Sequence, residues 1–302
     1  MAEPRYLILG GAGYFGARLA QSLCADSAVT VTARRASAAR TEWARKSGIK
    51  LAAYDSNNAG GFGFEGEWDA IINLAMPGAA EAGADADAAK QRGLVTAQHC
   101  QRWLQEGRAG RLLHFSTFHV YGAGGRETYN EGDLPAPTHP YGQAHLACEQ
   151  LLADESRAFV VRPSNMIGCP AHSDLGDQAK LLFVDLCRQA VSGEMRLGND
   201  GLSYRDFLPF EAAIQAVRLL LTAESTGQRL FNLAHGTATR LDEAARLIQA
   251  AAEPNVVRTS FGNGSDAFRA PFCVNTTRLQ KLGWKPQGSL EAEARDTIRF
   301  FT

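Results

Sequence analysis

Tyr141 and His145 stand four residues apart in "PYGQAHLACEQ", directly after Pro140. In a helix, side chains at that spacing share one face, a turn apart. Proline at the first helical position costs no hydrogen bond, so the segment reads as a helix opening at Pro140. A phenol there can move a proton at a substrate oxygen if its pKa, about 10 when unperturbed, is drawn toward neutrality. Nearby positive charge does this. An imidazole is mostly neutral at pH 7, supplies charge only when protonated, and can still donate through one ring nitrogen.

A second group of residues suits phosphate. Gly10, Gly13 and Gly16 in "GGAGYFG" follow an apolar run and precede a helical pattern. Glycines at a strand–helix junction allow a tight turn and close backbone approach, and the helix N-terminus offers N–H groups to a pyrophosphate. This is the pattern of a dinucleotide site. The next β-branched run ends "TARRAS", with Arg34 and Arg35 and no carboxylate. An acidic residue there would bind the ribose 2′-hydroxyl of NAD, whereas arginine accommodates the 2′-phosphate of NADP. The expected cofactor is therefore NADP(H) in preference to NAD(H). Asp55 closes "LAAYD" and is placed to contact the adenine end or to start a loop.

Such residues need a scaffold, and the chain supplies alternating elements. "RYLILGG", "AVTVTARR", "IKLAAYD", "DAIINLA", "RLLHFST" and "AFVVRPS" read as strands, with helical stretches between them. Strands alternating with helices predict an α/β fold with a doubly wound parallel sheet of Rossmann type. After about residue 165 the pattern loosens. We expect a dinucleotide-binding domain over 1–164, to which a segment near 202–235 returns, and a smaller substrate-binding lobe over 165–302. The 302 residues allow one large or two intimate domains. A net charge of −1 gives no field that would favour nucleic acid or an anionic membrane. No apolar run approaches a membrane span, and the N-terminal one is too short for a signal peptide. Cysteines 24, 100, 148, 169, 187 and 273 are scattered without a Cys-x-x-Cys pair, so neither a metal site nor a disulfide framework is implied. A cytoplasmic protein is expected.

These segments together resemble the extended short-chain dehydrogenase/reductase family of nucleotide-sugar epimerases, dehydratases and ketoreductases. "GGAGYFG" resembles its cofactor loop, "IINLA" its Asn-Leu-Ala stretch, "HFSTFHVYG" its Ser-Ser/Thr-x-x-Val-Tyr-Gly segment and "PYGQAHLACEQ" its Tyr-x-x-x-Lys helix. "RPSNMIGC", "GLSYRDFLPF" and "NTTRLQKLGWKP" resemble its Arg-Pro-x-Asn, Arg-Asp-Phe and Leu-Gly-Trp-x-Pro segments. The resemblance covers nearly the whole chain. It implies catalytic roles for Thr117, Tyr141 and His145, the last in place of the family's lysine. It implies cofactor contacts from Gly10, Gly13, Tyr14, Phe15, Gly16, Arg34, Arg35, Asp55, Asn73, Leu74, Ala75, Tyr141, His145 and Arg162. Thr117, Asn165, Arg205 and Arg269 are the expected substrate contacts, the two arginines for a diphosphate.

Three departures accompany the match: His145 for lysine, no evident asparagine in "AKQRGLV", and Glu211 near a shifted carboxylate position. Three readings of His145 stand: a weaker lysine substitute, part of an altered mechanism, or a non-catalytic residue. The implied function is an NADP(H)-dependent ketosugar reductase acting on a nucleotide-linked sugar. An epimerase or dehydratase that retains its cofactor, and a cofactor-binding protein without turnover, are the alternatives. A homodimer pairing the long fourth helix with the Tyr141 helix is also implied.

Overall fold

The computed structural model describes residues 3–56, 66–178, 181–223, 227–264 and 267–302. The six runs read as strands are strands: β1 (Arg5–Leu9), β2 (Ala28–Ala33), β3 (Lys50–Ala53), β4 (Ala70–Asn73), β5 (Leu112–Phe115) and β6 (Ala158–Pro163). A seventh, β7 (Leu230–Leu233), comes from far down the chain. They form one sheet in the order β7-β6-β5-β4-β1-β2-β3. Every pairing from β3 across to β6 is parallel. The fold is thus the doubly wound α/β sheet expected. Its strand order reverses between β1 and β4, and sheets of this kind bind ligands beyond the carboxyl ends of the strands at such a point. Register aligns Leu9 with Asn73 and Asn73 with His114. The glycine turn, the "NLA" turn and the "HFST" segment therefore leave the sheet side by side.

Helices α1 (Tyr14–Leu23), α2 (Ala38–Lys46), α3 (Ala79–Ala84), α4 (Ala86–Gln105) and α5 (Pro140–Leu151) cross between these strands. The Ala-rich stretch makes α4, and Asp85 caps it by accepting from the Ala88 N–H at 3.0 Å. Its buried residues, Ala89, Gly93, Thr96, Ala97, Cys100, Trp103 and Leu104, recur at helical spacing. Burying a side chain such as Leu104 contributes about 1.5–3 kcal/mol. Gly93 lets α4 lie close to α5: a Cβ there would meet Met76 Cε at 2.9 Å and Cys148 Sγ at 3.3 Å. Leu7, Leu9, Ile71, Leu112, Cys148 and Leu152 continue the same apolar cluster.

The chain divides into two compact units. The first holds residues 1–122, 134–162 and 217–231, and the second 123–133, 163–216 and 232–302. In the second unit, Asn165–Ile167 pairs in parallel with Phe207–Pro209, and Tyr204–Arg205 pairs antiparallel with Thr239–Arg240. Helices Leu182–Val191, Leu241–Ala251 and Leu290–Phe301 pack together there. Among the described residues, no helix is long and apolar enough to cross a membrane.

Candidate active site

The glycine turn is tight for two reasons visible in its backbone. Gly10 has φ +72°, a conformation that costs other residues energy, and a Cβ on it would lie 3.1 Å from the Ala75 backbone. Helix α1 then opens at Gly13 without a side-chain cap and without an acid in its first turn. No acid in its own first turn offsets its positive end, which suits a diphosphate. Tyr14 is half-buried. The Phe15 ring is buried and packs against Phe115, 5.6 Å between centroids. Asn73 also departs from the expected role. It is fully buried, its Oδ1 accepts from the Ala75 N–H at 3.0 Å, and its amide nitrogen meets His114 Nδ1 at 3.0 Å. Asn73 is used up in shaping the Leu74–Ala75 turn around Gly10. Its register position was legible in sequence, whereas its partners were not.

Tyr141 is set by the start of α5. His139, outside the helix, accepts from the Tyr141 N–H through Nδ1 at 3.1 Å, a cap the sequence did not announce. Gly142 brings α5 against the 3₁₀ turn Phe118–Tyr121: a Cβ there would stand 2.7 Å from the His119 carbonyl oxygen. That contact fixes Thr117, which begins the turn, beside Tyr141. Thr117 is buried, and its Oγ1 accepts from the His119 N–H at 3.2 Å. Its hydroxyl also hydrogen-bonds the phenol of Tyr141, which favours the ionised form; burial outweighs it and raises the phenol above its ordinary value. His119 is exposed, with its ring 5.8 Å from that of Tyr141.

His145 lies deep beside the phenol. Its ring packs edge-on against Tyr141, 4.6 Å between centroids, and it is 3% exposed. Neither ring nitrogen has a hydrogen-bond partner within bonding geometry, although the Phe115 backbone lies near enough to favour protonation slightly. Burial first, then the neighbouring His114 and His119, push its pKa down to about 3. His114, wholly buried, is pushed down to about 4 by burial. Both imidazoles are neutral at pH 7. The sequence placed His145 on the Tyr141 face but carried no signal of its depth.

Arg162, an expected cofactor contact, is otherwise engaged. It is buried, donates from Nε and Nη2 to the two carboxylate oxygens of Glu149 at 3.0 and 2.6 Å, and lies over the Tyr121 ring at 4.8 Å. Ser116 donates to the same Glu149 carboxylate. The group ties α5 to β5 and β6 and holds Tyr141 and Thr117 in place. Arg162 is thus a fastening whose Nε and Nη2 are committed to Glu149.

At the carboxyl end of β2, Arg34 is largely exposed, and Arg35 lends its carbonyl to Arg40 at 3.1 Å. The carboxylate absent from "TARRAS" arrives from α3. Glu81 Oε1 receives Arg34 Nη1 at 3.2 Å and Arg92 Nη2, from α4, at 2.6 Å. No local pattern in the sequence pairs position 81 with position 34. Asp55 is half-buried just beyond β3.

In the second unit, strand pairing sets Asn165 opposite Phe207, two residues beyond Arg205. Asn165 donates from Nδ2 to the Asp206 carbonyl at 3.0 Å. Arg205 lies over the Phe268 ring at 5.5 Å and donates to the Tyr204 carbonyl at 2.8 Å. Asp206 is buried between them and accepts from Ser164 Oγ at 2.5 Å and from the His235 and Gly236 N–H groups at 2.9 and 2.7 Å. Arg269 pairs with Asp200 at 2.7 Å in a half-exposed ion pair.

The model of the NAD dependent epimerase/dehydratase family matches residues 6–234, most of the chain and all of the glycine turn, Thr117, Tyr141 and Arg205. The chain belongs to that family. Its relatives include the dTDP-L-rhamnose 4-epimerase of Burkholderia thailandensis, 33% identical over 167 residues, 52% of this chain. That match spans 44% of the relative, less than half its length. The dTDP-6-deoxy-L-talose 4-dehydrogenase (NAD(P)(+)) of Kitasatospora kifunensis is 26% identical, over 98% of this chain and 95% of its own. Among solved structures, RMD from Pseudomonas aeruginosa complexed with NADPH superposes with a TM-score of 0.78 at 21% identity, covering 99% and 97% of the two chains. At that identity it shows a shared fold.

Proposed function

We propose that this enzyme is an NADP(H)-dependent reductase of a keto group on a nucleotide-linked sugar. One observation carries the reading. Thr117 and Tyr141 meet at the carboxyl end of β5, where the sheet also presents the uncapped glycine turn, while the place of a cation beside the phenol is held by a buried, uncharged imidazole. The glycine turn and the first turn of α1 would hold the cofactor's diphosphate, and Arg34 and Arg35 the 2′-phosphate. A nicotinamide bound there supplies hydride. Thr117 polarises the substrate carbonyl oxygen, and Tyr141 gives that oxygen its proton. A phenol raised above its ordinary pKa keeps this proton at neutral pH, which suits reduction. Oxidation of a sugar hydroxyl, the opening step of an epimerase or dehydratase, asks the phenol to act as a base, and here no charged lysine lowers its pKa. Arg205 and Asn165 would take the diphosphate and nucleotide of the substrate.

The match to an epimerase over half of the chain supports a second reading, in which the cofactor stays bound and the hydride returns. The two separate on purification and turnover. A reductase releases its cofactor and oxidises NADPH stoichiometrically with ketosugar, whereas an epimerase retains it and shows no net oxidation. Stable retention of cofactor with sugar interconversion would replace the reductase reading. We place the enzyme in the cytoplasm as a homodimer through α4 and α5; light scattering that gives a monomer would remove the latter.

A further inference from the structure

Glu81 sits where its charge opposes the phosphate that Arg34 is expected to hold. A single oxygen, Oε1, receives both Arg34 Nη1 at 3.2 Å and Arg92 Nη2 at 2.6 Å. The three side chains come from the turn after β2, from α3 and from α4 within one unit. Arg34 is 66% exposed and Arg92 21% exposed, so one arginine is mobile at the surface and the other is anchored. Resting on the NADP(H) reading above, we propose that Glu81 sets the discrimination between 2′-phosphorylated and unphosphorylated adenosine. It occupies the two guanidinium groups in the free protein and must give them up to a 2′-phosphate.

The chemistry runs as a competition between anions. Two arginines and one carboxylate leave a net charge of +1 beside the ribose position. A 2′-phosphate, carrying roughly −1.5 to −2, meets both guanidiniums and the carboxylate's repulsion at once. Arginine's planar fork pairs with two phosphate oxygens, so displacement of Glu81 exchanges one single-oxygen contact for paired ones. An adenosine with a free 2′-hydroxyl brings no charge to displace Glu81, and it leaves the triad in place. Arg92, which neither glycine-turn nor strand-end patterns single out, becomes a further phosphate ligand beside Arg34 and Arg35. Its place in "AKQRGLV" is where the family's usual helix asparagine is lacking.

The test uses the full-length protein and two adenosine fragments that need no turnover, 2′,5′-ADP and 5′-AMP, titrated by calorimetry. Glu81→Gln keeps the side chain's size and removes its charge. Removing the charge frees both guanidiniums from a partly exposed ion pair and lifts the repulsion of a like charge beside the phosphate. The variant should therefore bind 2′,5′-ADP about three- to tenfold more tightly, with 5′-AMP affinity unchanged. Arg92→Gln should weaken 2′,5′-ADP about tenfold and also leave 5′-AMP unchanged. Unaltered or weaker 2′,5′-ADP binding by Glu81→Gln, in a wild type that prefers 2′,5′-ADP, overturns the role of Glu81 alone. A wild type that prefers 5′-AMP overturns the NADP(H) reading itself. Weaker 5′-AMP binding by Glu81→Gln would make the carboxylate a ribose ligand and overturn both.

Discussion

Acid should unfold the sheet-bearing unit through His114 and His145. Each has a folded pKa below its unfolded value of about 6.5, pushed to about 4 and about 3 by burial. Below pH 6.5 the unfolded chain takes up two protons that the folded one refuses, so stability falls with pH, at up to about 1.4 kcal/mol per pH unit for each imidazole. From pH 7.5 to pH 5 that amounts to about 1.5 units each, or about 2 kcal/mol per histidine and about 4 kcal/mol together. The loss is fully present only below both folded values. Asp206, whose carboxyl burial raises, acts in the opposite sense, so the decisive quantity is a difference between proteins. Trp43, Trp68 and Trp103 are buried in the first unit and report on it by fluorescence. Urea unfolding at several pH values should show the wild-type slope, and His145→Gln and His114→Asn should each remove about half of it. A wild type that loses under about 1 kcal/mol by pH 5, or variants that keep the full slope, would refute the burial argument.

Other outcomes follow from the same geometry. The rate of ketone reduction should stay flat from about pH 6 to pH 9, because an imidazole with a pKa near 3 has no charge to lose there; it should fall only as Tyr141 gives up its proton at higher pH. A midpoint near pH 7 that vanishes in His145→Gln would restore the imidazolium reading. Tyr141→Phe should abolish turnover yet leave NADPH affinity within about twofold, since one hydroxyl is lost and the ring remains; residual activity above a few per cent would exclude the phenol as proton donor. Glu149→Ala should cost about 3–5 kcal/mol, because it strands the Arg162 guanidinium in the core. Thermal denaturation measures this, and Glu149→Leu combined with Arg162→Met should recover much of the loss. Arg205→Ala should raise KM for a nucleotide-linked ketosugar and spare NADPH binding; lost cofactor affinity would move Arg205 out of the substrate site.

Local pattern alone determined the strands, the glycine turn and the helix that carries Tyr141. Each rests on interactions between near neighbours: apolar runs closed by glycine, proline at a first helical position, side chains four apart on one face. Gly10, Gly13 and Tyr141 were legible for that reason, because each sits at a junction whose chemistry is written in adjacent residues, whereas Thr117 was reached through the family resemblance. What surrounds those groups was decided by contacts across long stretches of chain. His145 reads as a titrating partner in sequence and becomes a neutral core residue once the sheet and α5 close over it, since burial penalises the charged form. Arg162 reads as a ligand in sequence, and in the fold Glu149, thirteen residues earlier, takes its Nε and Nη2 donors. Asn73 turns inward to His114, 41 residues on. Arg34 appears without an acid until Glu81 crosses from a helix 47 residues away. Charge and burial depend on what fills the space around a side chain, and neighbours in sequence do not specify that filling; the packed sheet does.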